Sequence, residues 1–172
     1  MKMKENYKIF LCSINKRQIL IGMSSLIIGT LVYLVDRSPD QTYFLYKSSV
    51  KISLHNTLPN LFGFIGNSLP SFIHVFSFVL IAAGLLSCQK RGCLIICACW
   101  FLTDVIFELG QKFNLWSSKI IPDWFGGILF LENTKNYFTR GTFDYFDLAA
   151  ITLGAIVAYF VLLLTIQMEK VS

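Results

Sequence analysis

Seven side chains in this sequence combine residue types that move protons or hold anions with spacings that can bring them together. Asp104, Glu108 and Gln111 stand at i, i+4 and i+7, which places them on one face of a helix. Asp147 opens a second stripe, continued at helical steps by Ile151, Gly154 and Ala158, with Asp144 just ahead of it. His74 and Arg140 complete the set. A histidine among carboxylates can exchange protons near neutral pH, and a guanidinium binds a phosphate or carboxylate as a fork. His74 and Glu108 are therefore the candidates for acid–base work, and Gln111, Arg140, Asp144, Asp147 and Asp104 form the surrounding polar cluster. Plainer readings stand beside these. A lone histidine is commonly a hydrogen-bonded packing residue, and Asp144 and Asp147 suit the start of a helix, where the dipole favours carboxylates and Asp144 falls near the cap position.

The elements that carry these residues are apolar. Of 172 residues 55% are hydrophobic and 15% charged, which excludes a disordered or disulfide-stapled chain. Four apolar runs, Ile19 to Val35, Leu69 to Cys88, Cys93 to Leu109 and Phe146 to Ile166, approach or reach the roughly 17 to 25 residues of a spanning helix. The fold class expected is an all-α membrane protein, a four-transmembrane-helix bundle in one domain over residues 1–172, with outer loops at 36–68 and 110–145. Inside such spans an ionisable group costs about 2.5 to 3.5 kcal/mol at mid-helix, so each needs a reason. Asp104 is the deepest, and is expected either to accept hydrogen bonds from a neighbouring helix or to be protonated.

The second and third runs are separated only by Gln89, Lys90, Arg91 and Gly92, so they form an antiparallel hairpin, with Gly92 as the permissive turn residue. Lys2, Lys4, Lys8, Lys16, Arg17, Lys90, Arg91 and Lys170 concentrate on one side of the resulting topology. Arg37, Lys47, Lys51, Lys112, Lys119, Lys135 and Arg140 are diluted over the long segments of the other. Both termini are therefore expected in the cytoplasm, the first helix being an uncleaved anchor. In that topology His74, which begins the second helix, joins Glu108, Gln111, Arg140, Asp144 and Asp147 in the outer third of the membrane or at its rim. Gly154 and Ala158 are small enough to let the last helix approach a neighbour and bring Asp147 within reach of Glu108 or Arg140.

Both outer loops carry interfacial residues. Tyr43, Phe44 and Tyr46 suit the headgroup zone, and Leu61, Phe62, Phe64 and Ile65 argue against a plain solvated loop. Trp116, Trp124 and the short apolar stretch Ile128 to Leu131 place the second loop at the boundary layer as well. Cys12, Cys88, Cys93, Cys97 and Cys99 fall on the cytoplasmic side or in the inner half of the third helix. No disulfide is expected there, and small apolar packing is the expected role, because the spacing lacks the paired form of a metal site. No metal or cofactor is expected. The sequence contains no P-loop, no G-x-G-x-x-G, no G-x-S-x-G and no H-E-x-x-H, and its net charge of +5 reflects membrane orientation rather than nucleic-acid binding.

His74 in LPSFIHVFSFVLIAAGLL, Glu108 and Gln111 in FELGQ, and Arg140 with Asp147 in RGTFDYFDLAAITLGAIVAY together resemble the VanZ-like membrane protein family. That family shows a histidine at the start of one helix, E-x-x-Q at the end of the next, then an arginine and D-x-x-x-N-x-x-G. The resemblance covers about the carboxy-terminal 100 residues, the three later helices. Ile151 stands where the family has asparagine, and the stretch between Gln111 and Arg140 is longer than its usual connection. The resemblance implies a multi-pass protein of the bacterial cytoplasmic membrane, in a family named for teicoplanin resistance. Its partners would be membrane lipids and lipid-linked envelope precursors. The two functions it leaves open are binding or processing of an anionic, lipid-linked molecule at the outer leaflet and a non-enzymatic scaffold. A narrow four-helix pore is disfavoured because no mid-membrane helix break appears.

Overall fold

A computed structural model of the chain describes residues 14–38, 53–55, 57–128, 131 and 134–171, with side chains described to residue 168. Among these residues the chain is helical and contains no strand. Four long helices dominate: α1 (Lys16–Asp36), α2 (Ile65–Leu86), α3 (Lys90–Lys112) and α6 (Tyr145–Val171). All four are long and apolar enough to cross a membrane. Two short helices, α4 (Asn114–Ile120) and α5 (Thr134–Arg140), and a 3-10 turn at Asp123–Gly127 lie between α3 and α6.

Each long helix extends beyond its apolar run, because backbone hydrogen bonding continues into polar flanks until a cap stops it. Asn15 caps α1, its Oδ1 accepting the Gln18 N–H at 3.2 Å. Asp144 caps α6 in the same way, accepting the Phe146 N–H at 2.9 Å. The α2–α3 connection is shorter than the apolar pattern implies, comprising Ser87, Cys88 and Gln89. Ser87, at φ 46°, takes the left-handed cap conformation, and its N–H returns to the Ala83 carbonyl. The expected turn residue Gly92 instead lies inside the first turns of α3.

Helix α2 is the centre of the bundle, packing against α1, α3 and α6. Val75, Phe76, Val79, Leu80 and Ala83 of α2 form the core with Cys93 and Cys97 of α3 and Ala155, Ala158 and Leu162 of α6. Close approach on both sides of α2 depends on missing side chains. A Cβ on Gly22 of α1 would lie 2.8 Å from the Ser77 carbonyl oxygen, and one on Gly154 of α6 would lie 2.7 Å from that of Phe72. The outward faces are apolar too: Leu20 and Ile27 of α1, Ile95 and Ile106 of α3, and Phe160 and Leu164 of α6 are exposed. Surfaces of this kind suit helices whose solvent is lipid.

The antiparallel order gives the bundle two unlike ends. The loop end gathers the end of α1, the starts of α2 and α6, the end of α3, and α4 and α5. The hairpin end gathers the start of α1, the α2–α3 turn and the end of α6. Leu61, Phe64 and Ile65 are exposed at the loop end, as are Trp116 and Trp124. The aromatic residues Tyr43, Phe44 and Tyr46, the apolar Leu129 and Phe130, and Cys12 lie outside the described residues.

Candidate functional site

The polar side chains form three groups in the loop-end half of the bundle, the first of them near mid-helix. This first group joins α2 to α3: His74 Nδ1 lies 3.0 Å from Asp104 Oδ2. The imidazole is 50% exposed, whereas the carboxylate is nearly buried. Phe78 and Trp100 flank the ring at centroid distances of 4.6 and 6.2 Å, and stack on each other at 4.8 Å. Asp104 has a partner on a neighbouring helix, one of the two arrangements expected for it. The depth of His74 differs from expectation, because α2 already begins at Ile65. His74 is thus nine residues, or about 14 Å, inside the helix rather than at its start.

The second group joins α3 to α6 and α5. Glu108 is 5% exposed, and its Oε1 accepts the backbone N–H of Asp144 at 2.8 Å. One carboxylate oxygen therefore fixes the strand of chain that enters α6. Gln111, one turn further along, hydrogen-bonds the Tyr137 hydroxyl of α5. It packs so closely on Gly141 that a Cβ there would come within 2.6 Å of the amide. Burial, and next the Glu108 charge, hold the Tyr137 phenol well above the ordinary tyrosine range, while the Gln111 hydrogen bond opposes them. Phe138 is the buried residue of α5 and stacks on Phe107 at 5.4 Å.

The third group joins α6 to α2 and α1. Asp147 is hydrogen-bonded by the side chains of Ser68 and Ser71, both on α2. Its Oδ1 is buried with no hydrogen-bond partner. The cation whose charge acts on it is Arg37, at the end of α1. Arg37 also donates to the Asn67 carbonyl at 2.7 Å and lies 4.9 Å over the Tyr33 ring. Asp36, beside it, accepts the N–H groups of Leu61 and Phe62 at 3.0 and 2.9 Å. The small-residue stripe of α6 thus meets α2, where Val75 and Phe72 face Gly154, and carries Asp147 to the two serines. Ala158 and Ile151 are buried on the same stripe. Arg140 is exposed at the last residue of α5.

Reasoning on the sequence missed Tyr33, Arg37, Ser68, Ser71 and Tyr137. Arg37 was legible only as an orientation charge, Tyr33 as part of an apolar run and Tyr137 as part of a loop. The two serines had one signal: they are i and i+3 on the helix that also carries His74. The cysteines divide between interior and surface, with Cys93 and Cys97 buried in the core and Cys99 exposed. No family model, curated protein or solved structure matches this chain, so the functional reading rests on its own residues.

Proposed function

We propose that the chain is a VanZ-like protein of the bacterial cytoplasmic membrane, with both termini in the cytoplasm, that binds or processes an anionic, lipid-linked molecule at the outer leaflet. The observation that carries this reading is the half-exposed His74 held by the nearly buried Asp104. A carboxylate on Nδ1 fixes the orientation of the imidazole and leaves Nε2 to give or take a proton. The exposed Arg140 supplies a fork for a phosphate or carboxylate. Glu108, already engaged with the Asp144 N–H, positions the chain between α5 and α6, so proton exchange falls to His74 and Asp104.

The test uses variants at exposed positions. Arg140→Ala should reduce the anionic lipid retained by the purified protein in native mass spectrometry. His74→Gln, which keeps a donor for Asp104 but loses acid–base function, should remove any glycopeptide tolerance the wild-type chain confers on cells. Unchanged lipid retention and unchanged tolerance, at equal protein levels, would end this reading.

A scaffold role draws on a different observation: several carboxylates here bond to the protein's own chain. Glu108 holds Asp144, Asp147 is held by Ser68 and Ser71, and Asp36 holds Leu61 and Phe62. Such contacts between membrane helices contribute about 0.6 to 2 kcal/mol each. Under this reading substitutions in the cluster lower the amount of folded protein and leave lipid retention per folded molecule unchanged.

A further inference from the structure

The hairpin end contains a cavity of about 590 Å³ lined by Asn15, Gln18, Ser87, Gln89, Lys90 and Arg91 among others. From the position and chemistry of these residues we infer that it is a second ligand site, separate from the loop-end cluster, for a phosphate ester whose substituent carries a hydroxyl or ammonium group.

Its volume falls in the range of small-ligand sites, roughly 300 to 1,000 Å³. Two of its lining residues are cations, and among the described side chains no Asp or Glu lies at this end of the bundle. An ammonium and a guanidinium with no carboxylate among the described lining side chains select an anion, and a guanidinium matches the paired oxygens of phosphate. The polar wall gives the rest of the specificity. Gln18 is 2% exposed, and its amide nitrogen donates to Thr165 Oγ1 at 2.8 Å. The Thr165 hydroxyl in turn donates to the Val161 and Leu162 carbonyls, which fixes the direction of the Gln18 bond. No described residue donates to the remaining amide oxygen of Gln18. Gln18 lines the cavity, so this acceptor is available to a donor there, which the substituent of the ester supplies. The backbone adds to the field: Gln89, the residue capping α3, makes no side-chain cap bond, so the first N–H groups of that helix are not satisfied by it.

This chemistry has two sources, a phospholipid headgroup and a soluble phosphate ester, which one experiment separates. The full chain is placed in phosphatidylglycerol nanodiscs for native mass spectrometry, and in detergent with glycerol 3-phosphate for thermal unfolding. It is compared with Lys90→Ala/Arg91→Ala, and with Lys16→Ala/Arg17→Ala as a control at exposed residues outside the cavity. Retention of phosphatidylglycerol that falls about tenfold or more in the first double variant and little in the second upholds the site with a lipid ligand. A rise in melting temperature with glycerol 3-phosphate, lost only in the first variant, upholds it with a soluble ligand. Absence of both effects in the wild type, or equal losses in the two double variants, overturns it. The loop-end proposal is untouched by either result, since none of its residues is altered.

Discussion

The contact between His74 and Asp104 anchors one ring nitrogen, and under the proposed function the other is the one that would meet a ligand. Asp147 is arranged differently, with two serine side chains as partners and one oxygen buried without any. Replacing both serines, as Ser68→Ala/Ser71→Ala, leaves that carboxylate without its hydrogen-bond partners on α2. The double variant should lose about 1 to 3 kcal/mol of stability, read as a lower melting temperature in detergent. Tyr137 makes a prediction about pH. Its folded-state phenol titrates above the ordinary tyrosine value of about 10, chiefly because it is buried. Above that pH the unfolded chain releases a proton that the folded chain keeps, so this contribution to stability is complete below about 10 and declines as pH rises further. Tyr137→Phe should therefore flatten the alkaline fall in melting temperature and remove one late step from the tyrosinate absorbance titration.

Helix contacts decide how these residues meet, and two of them lend themselves to test. Gly154 faces Val75 and the Phe72 carbonyl at distances that leave no room for a side chain. Gly154→Val should push α6 off α2 at a cost of about 1 to 3 kcal/mol, measured by thermal unfolding, and should separate Asp147 from its serines. Asp144→Ala removes a helix cap and should cost about 1 kcal/mol. The four long helices were legible in the sequence because runs of apolar residues are visible without knowing any partner. Their ends were less so, since Ile65 to Ser68 and Lys90 to Gly92 are polar or mixed yet helical. Ser87 in the left-handed region was hidden, as glycine is the residue that normally advertises such a turn. Helices α4 and α5 are too short to show an apolar period. The stripe from Asp147 to Ala158 was readable as a close-packing face, but its partner was not. Which helix it meets depends on how four helices pack in three dimensions, and α2, not α3, occupies that position.

The described part of the molecule is polarised, with its carboxylates in the loop-end half and Lys16, Arg17, Lys90 and Arg91 at the hairpin end. The positive-inside tendency gives the expectation that the hairpin end faces the cytoplasm, which labelling tests. In a background with the native cysteines replaced by serine, Lys119→Cys should react with a membrane-impermeant maleimide on intact cells, and Arg17→Cys only after permeabilisation. The reverse pattern would invert the topology and move the loop-end cluster to the inner leaflet. The depth of His74 has a further consequence for whatever encounters it. Under the proposed function, an imidazole some 14 Å along a membrane helix, flanked by Phe78 and Trp100, would be approached by lateral diffusion within the bilayer rather than from bulk water. Its effective ligand concentration is then set by partitioning: greasy analogues would reach it at low aqueous dose, while water-soluble mimics of the same polar group would compete poorly however well they matched its shape.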